Sequence, residues 1–293
     1  MSAPPTTTSS RAMTVINRRH QRVALAAAMT LSVMSLPCVA VAQTDYYNTD
    51  AGRPLQIEDA YAVERRALEI QAAPLRLERN RRGVYSWGIE PELAYGLFRR
   101  TQVEIGLPIA ILDAGVGGKS VGITGLDASV LYNLNTETRI PALALGASVL
   151  APVGGLAADQ TYTSVKGIAT KTFRWARFHV NAQYTAGKAP VSAANGVGAV
   201  GAGASELSRW LSGVAIDRPF PLQSLLLSGE VFARQPLHKN EALEWNAAVG
   251  TRVQLSPRVA LDVGAGSRLT GEDKGWFATI GGAYVVGLPW RKR

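Results

Sequence analysis

Residues 85–112, YSWGIEPELAYGLFRRTQVEIGLPIAIL, hold two runs of strict alternation joined by a short basic turn. In the first run Tyr85, Trp87, Ile89, Pro91, Leu93, Tyr95 and Leu97 share one face, and Ser86, Gly88, Glu90, Glu92, Ala94 and Gly96 share the other. After Phe98-Arg99-Arg100, Val103, Ile105, Leu107, Ile109 and Ile111 alternate with Gln102, Glu104, Gly106, Pro108 and Ala110. A period of two belongs to a pleated strand, whose successive side chains leave opposite faces. Each run exceeds the ~5–6 residues usual in a soluble strand and fits the ~9–11 that cross a bilayer at a tilt. In the first run Tyr and Trp open the apolar face and Tyr stands near its end, where a lipid-facing strand carries its interfacial rings. The stretch reads as a transmembrane β-hairpin.

No run of the 293 residues reaches the ~18 consecutive apolar residues of a membrane helix. The longest, 23–36, follows Arg18, Arg19 and Arg22 and precedes the small-residue pattern Ala40-Val41-Ala42. Residues 1–42 therefore read as a secretory signal peptide cut after Ala42, with Met1 or Met13 as the start. The single cysteine, Cys38, lies inside it, and Pro37 replaces the small residue that a lipidation site needs there. Loss of the signal leaves no thiol, hence no disulfide and no cysteine-based metal site. It also removes Arg11, Arg18, Arg19 and Arg22 and no acid, so these four take the formal charge from +9 to +5. Without a Lys/Arg block, a nucleic-acid surface is excluded. No metal motif, phosphate loop or dinucleotide fingerprint is present, and no cofactor is expected. Residues 196–201, GVGAVG, match such a fingerprint by composition alone.

Residues 43–67 are polar and are expected as a periplasmic lead-in. At their end, 58–69 suits either one or two helical turns or the approach to a first strand at 68–80, which Pro74 throws out of phase as a bulge does. Beyond the central hairpin, strands are expected near 121–133, 139–151, 161–173, 177–187, 208–217, 225–234, 243–255, 259–269 and 276–288. Residues 68–290 then form an all-β, antiparallel up-and-down transmembrane barrel of about twelve strands, followed by a basic tail at 291–293. Short connections (FRR, NTET, RWA, PFPLQ, SP) alternate with longer Gly- and Ala-rich loops, the asymmetry of periplasmic turns against extracellular loops. Two aromatic girdles follow from the same topology. Trp87, Tyr162, Trp210, Trp245 and Trp276 open strands on the long-loop side, and Tyr95, Tyr132, Trp175 and Tyr284 gather at the other end. A soluble β-sandwich explains the alternation by one buried face but neither of these regularities. The expected location is the bacterial outer membrane, with outer-membrane lipids, the barrel assembly machinery and a small-molecule solute as partners.

The inner face is charged. Glu90, Glu92, Glu104, Asp127, Glu230, Glu244 and Asp262 point inward beside Arg177, Arg209, Arg234, Arg252, Arg268 and His179. One reading is a pore lining that sets selectivity; the other is a network of paired charges that plugs and rigidifies a narrow barrel. Glu90, Glu92 and Glu104 share one face of adjacent strands, which admits a cation or amine site. A lipid hydrolase with a Ser-His dyad is the enzymatic alternative. The mature chain offers it only His238, in an outer loop without a nearby serine, and His179, which faces inward with Asn181 and Gln183.

The central hairpin also resembles the outer-membrane transporters named after the meta-pathway of phenol degradation. Their signature is a Glu-x-x-Tyr-Gly run, a short turn, and an alternating strand ending in Leu-Pro. It stands here as Glu92-Leu93-Ala94-Tyr95-Gly96, then Phe98-Arg99-Arg100, then residues 101–108 ending in Leu107-Pro108. The turn departs from the family's usual Thr-Asp-Arg, and the resemblance is specific over these two strands only. It implies a small barrel that passes hydrophobic or aromatic compounds.

Overall fold

The computed structural model describes residues 49–80, 83, 85–113, 119–189, 207–219, 224–237, 242–271 and 274–287. The signal peptide, residues 43–48, the loops at 114–118 and 190–206, the turn at 220–223, His238 and the tail lie outside the described residues. Twelve strands make up the described wall. They are β1 (Ala67–Asn80), β2 (Tyr85–Ile89 continued by Glu92–Phe98), β3 (Thr101–Gly106 continued by Ile109–Asp113) and β4 (Lys119–Ile123 continued by Leu126–Asn133). Then follow β5 (Ala142–Ala151), β6 (Tyr162–Thr172), β7 (Arg177–Ala186), β8 (Ser208–Pro219), β9 (Leu225–Pro236), β10 (Glu244–Ser256), β11 (Val259–Arg268) and β12 (Gly275–Gly287). Each pairs antiparallel with its neighbours in sequence. β12 returns to β1 in a register running from Ala67↔Gly287 to Asn80↔Gly275, which closes the barrel.

Alternation decides which face is which. Ile105, Leu145, Val249 and Ile280 stand outward at 57%, 56%, 67% and 55% exposure, while Gln102, Asn181, Asn246 and Asp262 are buried inward. That inverts the polarity of a soluble protein and gives the wall the surface a bilayer covers. Trp87, Tyr132, Trp175, Trp210, Trp245, Trp276 and Tyr284 lie exposed on this outer face, and Tyr95 is half-buried in the outward phase. At the short-turn end Phe178 meets Phe173 and Trp175 edge-on, with centroids 5.5 and 5.3 Å away. Tyr162 is a correction: it points inward, 1% exposed, against Leu150 and Leu237. Its phase is that of Ser164, Ile168 and Thr170, which are also buried.

The three strands after β1 are each expected to be continuous, and each is broken, at residues 90–91, 107–108 and 124–125. Pro91 and Pro108 cannot donate to a ladder. Backbone bonds from Leu107 N to the Pro91 carbonyl (3.0 Å) and from Thr124 N to the Pro108 carbonyl (2.9 Å) carry the interruption from strand to strand. On β1 the register slips between Ala72 and Leu75, so the line of irregularity crosses four neighbouring strands. Arg139 also falls outside β5, which starts at Ala142.

The periplasmic lead-in is corrected for residues 49–66. They form a strap inside the barrel, because their apolar residues find small patches on the inner wall. Leu55 packs with Ala248 and Phe277; Ile57 with Leu211, Ala215 and Phe232; Ala60 with Leu131, Ala142, Ala144 and Ile168; Val63 with Ala67, Ala94 and Val285. The strap meets β10–β12 first, then β9 and β8, then β6 to β4, and finally β2, where Arg66 N donates to the Gly96 carbonyl at 2.7 Å and β1 begins.

Gly96 fixes that last contact. A Cβ there would lie 2.0 Å from the Glu64 carbonyl oxygen, a backbone atom that cannot swing away. Gly96→Ala is therefore expected to lever the strap off β2 and cost about 1–3 kcal/mol, the range for overpacked sites. Gly167→Ala, where nothing lies within 4 Å, is the matched control. The measurement is the temperature at which each barrel loses its folded mobility on a gel, expected to fall for the first variant and hold for the second.

Candidate functional site

The lumen and its strap form the candidate site. Arg53 on the strap, 1% exposed, is its most enclosed cation among the described residues. Its guanidinium contacts Asp50 on the strap, Glu69 of β1 at 3.0 Å and Asp262 of β11 at 3.4 Å. Arg252 of β10 pairs with the same Asp262 at 2.6 Å and lies 3.8 Å from Asp50. Burial works against the Arg53 charge, but Asp50, Asp262 and Glu69 outweigh it and raise its pKa above the ordinary value. Beside this cluster Thr279 donates to the Pro54 carbonyl at 3.2 Å.

Further along, wall side chains take up the strap's backbone. Glu230 accepts from Gln56 N at 3.0 Å and Ile57 N at 2.8 Å, and Lys166 pairs with Glu58 at 2.6 Å. Asn133 Nδ2 donates to the Ala60 carbonyl at 2.7 Å, and Gln102 Oε1 accepts from Val63 N at 2.6 Å. Asp59, in mid-strap, lies 3.7 Å from Arg177, which makes a two-point contact with Asp217 at 2.9 and 2.7 Å. Asp59 also accepts from the backbone N–H of Tyr61 at 3.0 Å and of Thr49 at 3.2 Å. Burial pushes its carboxyl up to about 6, against the opposing pull of Arg177 and His179.

His179 lies between Thr170 Oγ1, 3.0 Å from Nδ1, and Asp217 Oδ2, 3.0 Å from Nε2. In the neutral tautomer that satisfies every atom, Nε2–H donates to Asp217 and Nδ1 accepts from Thr170. Hydroxyl, imidazole and carboxylate thus stand in the order of a hydrolytic triad. Yet Thr170 Oγ1 accepts from Ala60 N at 3.0 Å and is fully buried, which makes it an anchor for the strap.

Toward the long-loop end Arg234 pairs with Glu244 at 2.6 Å, and Arg268 lies 3.5 Å from both Glu244 and Glu78. Glu78 is held in turn by Arg76 at 2.5 Å, whose guanidinium lies 4.1 Å from the Phe277 ring centre. The structure places Glu90, Glu92, Glu104, Asp127, Arg177, His179, Arg234, Glu244, Arg252, Asp262 and Arg268 on the inner face, divided among these neighbourhoods. Arg209 sits beside a register slip at the start of β8 and donates to the Thr185 carbonyl at 2.9 Å. Sequence reasoning misses Asp50, Arg53, Asp59, Glu69, Arg76, Glu78 and Asp217. Among the described residues, no group of three or more His, Cys, Asp or Glu side chains is placed to hold a metal ion.

No family model matches the chain, and no curated protein sequence does. Among solved structures it is similar to the KdgM porin, with 10% identity, a TM-score of 0.48 and coverage of 74% of this chain and 98% of that one. It is similar to the COG4313 outer membrane channel from Pseudomonas putida F1, with 11% identity, a TM-score of 0.49 and coverage of 78% and 98%. The translocator domain of the autotransporter NalP from Neisseria meningitidis matches with 12% identity and a TM-score of 0.41, over 74% and 87%. Likeness at this level concerns the course of the chain alone.

Two variants test the strap's anchors. Arg53→Met leaves Asp50, Glu69 and Asp262 with only Arg252 among them, and breaking a buried pair from one side costs about 3–5 kcal/mol. Unfolding in guanidinium is expected at correspondingly lower denaturant. Asp59 carries the pH dependence. Its folded pKa lies above the unfolded value, so its contribution is fully present below about pH 4 and is lost as pH rises through about 6. Protease cleavage within the strap should therefore quicken from pH 5 to 7.5 in the native chain, with a smaller change in Asp59→Asn.

Proposed function

We propose that this protein is an outer-membrane channel for small solutes, and that the strap sets the free cross-section of its lumen. The observation that carries this reading is a closed barrel with an apolar exterior and a charged, hydrogen-bonding interior. Such a wall conducts polar matter across lipid whenever its interior is open along its length. Export through an N-terminal signal, insertion by the assembly machinery and a lipid-covered exterior belong to the same reading. Hydrophobic or aromatic solutes are the class implied by the hairpin signature. A barrel plugged for structural purposes is the competing reading, and the strap itself favours it. Among the described residues the hydrolase reading finds only the Thr170–His179–Asp217 order, beneath the strap.

The test is single-channel recording in planar bilayers on the refolded chain freed of residues 1–42. Discrete openings are expected, made several-fold more frequent or larger by Arg53→Met, with Glu90→Ala and Arg252→Ala altering ion selectivity. A folded, heat-modifiable barrel that stays silent in every variant would refute the channel and leave the plug.

A further inference from the structure

Along one stretch of the inner wall the side chains of Gln71, Glu92, Glu104 and Asp127 form no hydrogen bond with the strap among the described residues. Across β1 to β4 the register sets Gln71 opposite Glu92, Glu92 opposite Gly106, and Gly106 opposite Asp127, so the four form one transverse row on the lumen face. Gly106 leaves the floor of this row bare. Around the point where its Cβ would stand, Glu90 Oε1 and Glu92 Oε1 lie at 3.3 and 3.5 Å. Glu104, two residues before Gly106 on β3 and so on the same face, accepts from Gln102 and from Ser129 Oγ (2.7 Å). Glu92 and Asp127 accept no hydrogen bond and form no ion pair among the described residues. The cations nearest in charge are engaged elsewhere, Arg53 by Asp50, Glu69 and Asp262, and Lys166 by Glu58.

Gln71 supplies an independent sign of a ligand. It is 1% exposed, its Nε2 donates to Glu69 at 3.2 Å, and its Oε1 is buried without a partner. Because the amide is planar, an Nε2 turned toward Glu69 turns Oε1 the other way, toward the level of Glu90. A buried carbonyl oxygen without a donor is costly and calls for an N–H or O–H. The missing partner must therefore be a donor, and the carboxyl groups of Glu90 and Glu92 on the neighbouring strand favour a cationic one. Among the described residues no three acids are placed to hold a metal ion, and Asp127 stands two strands from Glu92. That spacing suits charges separated along an organic chain.

We propose that the Gln71–Glu92–Gly106–Asp127 row, with Glu90 and Glu104, binds an organic ammonium ion, and that a linear diamine fits it best. One ammonium donates to Gln71 Oε1, Glu92 and Glu90 while the second reaches Asp127, about 10 Å away at two strand spacings. The site rests on the channel reading for its access, and it gives that channel a substrate class.

The test is calorimetric titration of the full chain freed of residues 1–42, folded in detergent at low ionic strength, with 1,5-diaminopentane. One binding event per chain is expected, about tenfold weaker in Glu92→Gln and in Asp127→Asn, as loss of a charged hydrogen bond implies. Gln71→Met should weaken it several-fold, pentylamine should bind less well than the diamine, and Asp159→Asn, an exposed acid in a loop, should change nothing. Two acid variants on different strands keep the test alive should one fail to fold. The proposal is overturned if the native protein does not bind, if both acid variants bind like the native, or if calcium binds as tightly and displaces the diamine. A barrel that binds the diamine but is silent in bilayers keeps the site and loses the channel. One that conducts without binding loses the site alone.

Discussion

Strap amides aimed at wall side chains are the interaction on which the lumen depends. A membrane barrel turns its apolar residues outward, so its inner wall is polar and narrow, and polar groups there need partners as much as in any protein core. The extended strap brings donors and acceptors with no ladder of their own to satisfy. Glu230 takes Gln56 and Ile57, Thr170 takes Ala60, and Gln102 takes Val63. Arg53 does the same in charge, standing among three carboxylates from the strap, β1 and β11. Buried pairs of this kind add little net stability but fix where a segment lies.

The hairpin signature acquires a physical meaning from this arrangement. Tyr95 faces outward near one edge of the apolar band. Gly96 admits the strap's backbone where a side chain would strike it, and Glu92 belongs to the acidic row opposite Gln71. Pro108, which ends the signature, marks one of the breaks in the wall. The Tyr, Gly and Glu of one short run thus serve the exterior, the strap and the lumen.

Strands and facing were legible because a period of two survives in almost every strand, and one phase assignment then sorts a whole row of side chains. That logic failed wherever the signal was not periodic. The strap's buried residues, Leu55, Ile57, Ala60 and Val63, follow no regular spacing, and the charges between them read as solvated when they are paired inside. Asp217 lies near the end of β8, past the clearest alternation. Tyr162 misleads because its place at a strand end suggests a girdle while its phase, in a strand poor in large apolar residues, points inward. Pro91 and Pro108 keep the alternation on paper while interrupting the ladder. The acidic row was half visible: three glutamates on one face could be seen, but Gln71 could not be set opposite Glu92 before the register across the bulge was known.

The order of the strap's contacts has a consequence for how the molecule comes together. For four of the strap's hydrogen bonds the separation between partners along the chain grows away from β1: 39 residues for Val63 and Gln102, 110 for Ala60 and Thr170, 174 for Gln56 and Glu230, and 225 for Pro54 and Thr279. Formed alone, the last of these would close a very large loop. Formed after the others, it closes only the increment left by its predecessor, and loop entropy rises slowly with such increments. The strap can be laid down like a zip from its root at Gly96, each tooth becoming available as the next hairpin joins the wall. The seam between β1 and β12 then shuts on a lumen already furnished from within.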